Sequence, residues 1–88
     1  MATIRELKAR FQTARELNKA GLILESSRLA LSVQRMATQS RSRFAAALAM
    51  DAHCLAATAM LRAATASPKV RSELGQIKAE SMHILHNA

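Results

Sequence analysis

The chain has 88 residues and a formal charge of +7; half of its residues are hydrophobic, and its only aromatic residues are two Phe. This length excludes a second domain, and the presence of only two Val residues and of no Asn-Gly or Asp-Gly turn argues against a β-sheet class. The single Cys excludes an intramolecular disulfide. We therefore predict one all-α domain over residues 1–88.

The first helix is predicted over residues 4–19. Thr3 and Glu6 have the spacing of a capping box, in which the hydroxyl accepts a hydrogen bond from a free amide at the helix start. Gly21 suits the left-handed residue that follows many helices. Because this amino-terminal segment lacks the apolar stretch of a secretory signal, we expect a cytoplasmic protein.

Three further helices are predicted over residues 23–39, 42–65 and 68–86, with short connections. The polar sequence TQSRSR favours a break between the second and third helices, and Ser67 followed by Pro68 is typical of a helix start. Apolar or small residues of the last helix recur in steps of three and four, as in a helix packed on other helices. These residues are Val70, Leu74, Ile77, Ser81 and Ile84. Four helices of this length predict a small bundle-like domain.

The Ala-rich stretch RFAAALAMDAHCLAATAML, residues 43–61, is apolar on nearly every side when it is wrapped as a helix. It only just reaches the length of a membrane span, and Asp51 near its centre would cost about 2.5–3.5 kcal/mol in a bilayer. A helix that is apolar all round is normally buried. We therefore predict that the third helix is central, or that one of its sides faces another chain. Cys54 is predicted to be a small buried residue.

The positive charge is concentrated in residues 1–43, which carry nine basic and three acidic residues. Basic residues of the first helix recur at i, i+7 and i+11, which forms a line about 16 Å long that can contact several phosphates. Arg28 and Arg35 form a shorter line on the second helix. The candidates for binding an anionic partner or nucleic acid are Lys8, Arg15, Lys19, Arg41 and Arg43. The alternative is that these long side chains form an ordinary solvated face.

A protein-binding patch is predicted on the second helix. Leu24 and Leu31 lie seven residues apart, roughly opposite the predicted core stripe, and Arg28 and Arg35 flank them. Apolar side chains beside arginines are typical of protein contact surfaces. We predict that these four residues contact a partner; the alternative is that another helix covers the two leucines.

No group of residues predicts catalysis, a cofactor or a metal site. Asp51, His53 and Cys54 are close in sequence, but adjacent side chains on a helix point about 100° apart. His83 and His86 are spaced to offer two metal ligands, yet nothing in the sequence brings further ligands to them. Gly-rich phosphate loops are absent as well. We expect a non-enzymatic protein.

These observations favour a small non-enzymatic regulator or adaptor that binds a larger protein, such as a component of transcription or secretion. The second interpretation is a dimeric nucleic-acid-binding protein that uses the basic lines of the first two helices. A helix-turn-helix motif is disfavoured, because Leu17 and Ser27 stand where that motif usually has a small residue and an apolar anchor. A third interpretation is a basic amphipathic protein of membrane surfaces. A monomer whose core has so few aromatic residues would be only marginally stable, so a homo-oligomer is a further interpretation.

Overall fold

The computed structural model describes residues 2–87. Within that range it has five helices and no strand, so the all-α prediction is confirmed. The helices are α1 (Ile4–Lys19), α2 (Ile23–Gln39), α3 (Arg43–Ala57), α4 (Ala59–Arg62) and α5 (Pro68–His86). α1, α2 and α5 have the bounds expected from the sequence.

Local hydrogen bonds set the starts of α1 and α5. Thr3 Oγ1 accepts from the backbone N–H of Glu6 at 3.2 Å. Ser67 Oγ accepts from the backbone N–H of Val70 at 3.3 Å, and Pro68 follows at the first helical position. Each hydroxyl satisfies an amide that has no partner within its own helix.

The two tight connections also follow from their own residues. Gly21 has a φ of 86°, and the next residue, Leu22, donates its N–H to the carbonyl of Leu17 at 3.0 Å. This pattern is a Schellman ending, which a residue with a Cβ adopts only at a cost. The predicted break between α2 and α3 is present, and Ser42 Oγ accepts from the N–H of Phe44 at 3.1 Å.

The predicted third helix is interrupted at Thr58, so that α4 is a separate helical turn. Thr58 Oγ1 donates to the carbonyl of Cys54 at 2.6 Å. The Arg62 guanidinium donates to the carbonyl of Leu55 at 2.8 Å and to Asn18 Oδ1 of α1 at 2.7 Å. Partial burial lowers the pKa of Arg62. No Gly or Pro marks this break, so the sequence did not predict it.

α1 and α5 lie on opposite sides of the α2–α3 pair. α2 and α3 each contact all the other helices, whereas α1 and α5 pack on both of them but not on each other. Because α2 and α3 also pack closely on each other, the arrangement is not a square four-helix bundle, and the bundle prediction is not confirmed. The Cα trace is 18 Å thick in its thinnest direction, which corresponds to two helix layers with axes roughly 8–10 Å apart. Most helices of this thin molecule therefore keep one side open.

α2, and not the Ala-rich α3, has the most buried side chains. Seven residues of α2 are buried against four of α3, and three of those four are Ala. Even serines are buried on α2, where Ser26 Oγ donates to the carbonyl of Ala14 in α1 at 2.6 Å. The predicted central position of the third helix is therefore not confirmed. Small Ala side chains let α2 approach α3 closely on one side only.

Two apolar clusters form the core. One contains Leu31 of α2 and Leu74 of α5, and the other contains Leu7 of α1, Val33 of α2 and Leu48 of α3. α2 contributes to both clusters, which explains its deep burial. No helix within residues 2–87 combines the length and the apolar content that crossing a membrane requires.

Candidate functional site

Leu31, one residue of the predicted patch on α2, is covered by α5, whereas Arg28 and Arg35 remain exposed. Leu31 is only 6% exposed and belongs to the same cluster as Leu74 and Ile77 of α5. Leu24 is half-buried against that cluster. The exposure that the predicted contact requires is therefore missing at Leu31. The alternative that the sequence left open, a covering helix, describes the observed packing.

The two arginines of that patch are paired within the chain. Arg28 forms a salt bridge with Glu73 of α5 at 2.6 Å, and Arg35 forms one with Glu80. The two arginines are seven residues apart on α2, and the two glutamates are seven residues apart on α5. The two helices therefore run parallel along these pairs. Two carboxylates thereby compensate the second basic line. The matching spacing of seven was a usable signal in the sequence, but it joins residues 45 positions apart.

The basic line of α1 remains uncompensated. Lys8, Arg15 and Lys19 are exposed, and within residues 2–87 none of them forms a salt bridge. The line lies beside α3: Lys8 Nζ is 6.0 Å from the ring centroid of Phe44, and Arg15 lines a groove between the two helices. Arg41 and Arg43, in the connection to α3 and at its start, are also exposed.

The solvent side of α3 is largely apolar, with Arg43 and Asp51 as its exposed charged residues. Phe44 is 69% exposed, Met50 is 47% exposed, and Ala47 and Cys54 are exposed between them. We call these four residues the α3 face. The prediction that Cys54 is buried is wrong, because no helix packs on this side. An 88-residue chain has too little mass to cover an apolar helix on every side, and that was the signal for exposure.

A groove of about 490 Å³ runs between α1 and α3 beside the α3 face. Its lining residues are Phe11, Arg15, Asp51, Cys54, Leu55 and Thr58. Apolar side chains of Phe11 and Leu55 therefore meet a cation and a carboxylate in one depression. Its volume is typical of sites that accept a few side chains or a small ligand.

A second, smaller cavity lies on the other side of α3. It has a volume of about 240 Å³, and its lining residues are Gln34, Ala37, Thr38, Ser40, Ala46, Ala49, Met50 and Leu85. Unlike the first groove, it contains no charged side chain. The α3 face therefore has a charged flank towards α1 and a neutral flank towards α2 and α5.

His53 is tied into the core. Gln34 Nε2 donates to the carbonyl of Ser81 at 3.0 Å, so its Oε1 is the atom that accepts from Ser81 Oγ–H at 2.5 Å. The hydroxyl has no second proton, and His53 Nδ1, 2.7 Å away, must therefore donate to Ser81 Oγ. These hydrogen bonds join α2, α5 and α3. His53 thus points inwards, whereas Asp51 and Cys54 line the groove.

The other sequence features give no second candidate. Residues 2–87 contain no group of three or more His, Cys, Asp or Glu placed to hold one metal ion. His83 accepts at its carbonyl from Asn87 Nδ2 at 2.8 Å, an ordinary helix-end contact. Comparison with protein families, with curated proteins and with solved structures gives no match to this chain. The candidate site therefore rests on the geometry of the α3 face and the α1 line.

Proposed function

We propose that this chain is a small non-enzymatic regulator or adaptor that binds another protein through the α3 face. The observation that carries the proposal is the exposure of Phe44 and Met50, with the small Ala47 and Cys54 exposed between them. Aromatic residues and Met are enriched in protein interfaces. Fully burying such a side chain is worth about 1.5–3 kcal/mol, and the isolated chain gains only part of it, because Phe44 is 69% and Met50 47% exposed.

The shape of the α3 face suits a helix or an extended segment of a partner. Ala47 and Cys54 are small, so a partner backbone can approach closely between Phe44 and Met50. The depressions on both flanks of α3 offer places for partner side chains. This arrangement resembles the groove mode of peptide recognition, in which a few apolar anchors supply most of the affinity.

The proposed partner-binding surface lies on α3, whereas the sequence predicted one on α2. Leu31 is buried in the α2–α5 packing and Leu24 is half-buried beside it, while the exposed Arg28 and Arg35 are paired with Glu73 and Glu80. This arrangement favours the α3 face over the α2 patch as the first contact. Lys8, Arg15 and Lys19 keep the role expected of them, which is to attract and orient a partner.

Nucleic-acid binding is the second candidate, and the uncompensated line of α1 is the observation that favours it. Arg28 and Arg35, the helix-2 half of that predicted surface, are paired with Glu73 and Glu80, which lowers the net charge there. Three phosphate contacts by α1 would give a log–log salt slope of about −2.7 on duplex DNA. Binding of this kind would persist when Phe44 is replaced, which separates the two candidates.

The test compares the wild-type chain with Phe44→Asp and with the matched control Leu22→Asp, which alters an exposed leucine at the α1–α2 turn. Each purified protein is used as bait in source-cell lysate, and each candidate partner is then purified for titration. We expect a partner whose Kd rises at least 30-fold for Phe44→Asp, since truncating an interface anchor costs about 2 kcal/mol or more. The control should bind within twofold of wild type. Equal binding of all three proteins to every partner, or to duplex DNA alone, would contradict the proposal.

A further inference from the structure

We infer that the occupant of the α3 face is an acidic amphipathic helix whose carboxylates lie on one flank only, against the basic line of α1. This inference rests on the proposed function and specifies its partner. Its apolar side would cover Phe44 and Met50, and its acidic side would face Lys8, Arg15 and Lys19.

The charge distribution around α3 favours an acidic partner. Glu73 and Glu80 are already used by the arginines of α2. Among the residues that line the groove, Asp51 is the one carboxylate, and within residues 2–87 it forms no salt bridge. The exposed cations of α1 are therefore available to carboxylates of another chain. The spacing of those cations, about 16 Å in total, matches carboxylates placed along roughly three turns of a partner helix.

The geometry restricts those carboxylates to one flank. α1 runs parallel to α3, because Lys8 lies beside Phe44 at one end and Asn18 bonds Arg62 beyond the other end. The cations therefore follow the whole length of the face on its α1 side. The opposite flank is the neutral cavity beside Met50. A partner helix with acids on both flanks would leave half of them without a cation.

A second copy of this chain fits the face poorly. It would bring the same cations to the interface and Asp51 as the one acid of the groove, so like charges would outnumber opposite ones. Like charges brought together across an interface oppose association. The occupant to which the observations point is therefore a different chain.

Asp51 makes the inference testable in two directions. It lies in the same groove as Arg15, so it repels the carboxylates that Arg15 attracts. Asp51→Asn should therefore tighten binding, and Arg15→Gln should weaken it. Lys78→Gln is the matched control, since Lys78 is an exposed cation of α5, a helix that does not contact α1.

The experiment selects ligands from a displayed library of random helical peptides, using the wild-type chain as bait. The enriched peptides should carry an apolar stripe and Asp or Glu on one side of it. The best peptide is then titrated against the three variants at about 0.1 M salt, where exposed charges more than about 10 Å apart are largely screened. Exposed charge pairs are worth about 0.2–1 kcal/mol, so we expect Kd changes of about 1.4- to fivefold: up for Arg15→Gln, down for Asp51→Asn. Lys78→Gln should change the Kd less than either of them, because α5 does not contact α1.

The outcomes separate the two proposals. Enriched peptides that are neutral or basic, yet lose binding to Phe44→Asp, would overturn the acidic partner and leave the α3 face as a docking site. Equal effects of Arg15→Gln and Lys78→Gln would also overturn the inference, because net charge and not the α1 line would then be acting. Peptides that bind Phe44→Asp as well as wild type would contradict both proposals. A dimer that depends on Phe44 in sedimentation velocity would replace the acidic helix with a second copy.

Discussion

The α2–α5 side and the α1–α3 side of this molecule contain the same kinds of residues and use them differently. On the first side, Leu31 is covered and Arg28 and Arg35 each have a carboxylate. On the second side, Phe44 is exposed and the basic residues of α1 lack such partners within residues 2–87. Apolar residues beside cations are therefore not a binding site in themselves. They become a candidate binding site only where no other helix covers the apolar residues and no carboxylate of the chain pairs with the cations.

The largest effect is expected from a substitution in the core of the α2–α5 side. Leu74→Ala removes a fully buried side chain of the α2–α5 cluster and should lower the free energy of unfolding by about 2–5 kcal/mol. Phe44→Ala should change it by no more than about 0.5 kcal/mol, since exposed positions contribute little. Urea denaturation followed by circular dichroism measures both. A comparable loss for Phe44→Ala would mean that the α3 face is part of the fold and not a docking surface.

A smaller effect is expected from the polar chain that joins α2, α5 and α3. Ser81→Ala leaves Gln34 Oε1 and His53 Nδ1 without their partner and should destabilise the fold by about 1–3 kcal/mol. Ser72→Ala is the control, because Ser72 is an exposed serine of the same helix. The denaturant midpoints of the two variants are compared with that of the wild-type protein. If Ser81→Ala is as stable as the control, the two hydrogen bonds of the Ser81 hydroxyl add nothing to the stability of the α2–α5 side.

The smallest effect concerns the ion pairs. A double-mutant cycle on Arg28 and Glu73 should give a coupling energy of about 0.2–1 kcal/mol that shrinks with added salt, because Arg28 is largely exposed. The cycle uses Arg28→Ala, Glu73→Ala and both together, each measured by denaturation. A coupling of zero would leave the arginines of α2 available to an anionic partner and would weaken the contrast between the two sides.

Local features were readable from the sequence alone. The hydroxyl caps at Thr3 and Ser67 and the left-handed Gly21 involve residues within three or five positions of one another. The apolar stripe of α5 likewise predicted Leu74 and Ile77 as core residues. Such features depend on the conformation of a single turn or helix, so the residues of that segment determine them.

The tertiary structure alone decided which apolar surfaces were covered. Leu31 and Cys54 both belong to helices with apolar residues on several sides, yet one is buried and the other exposed. The difference is that α5 packs on α2 near Leu31, whereas no helix covers the solvent side of α3. At the interruption at Thr58, Arg62 likewise bonds Asn18 of another helix. Periodicity reports which residues share a face, but which helix covers that face is settled by contacts between segments far apart in the chain.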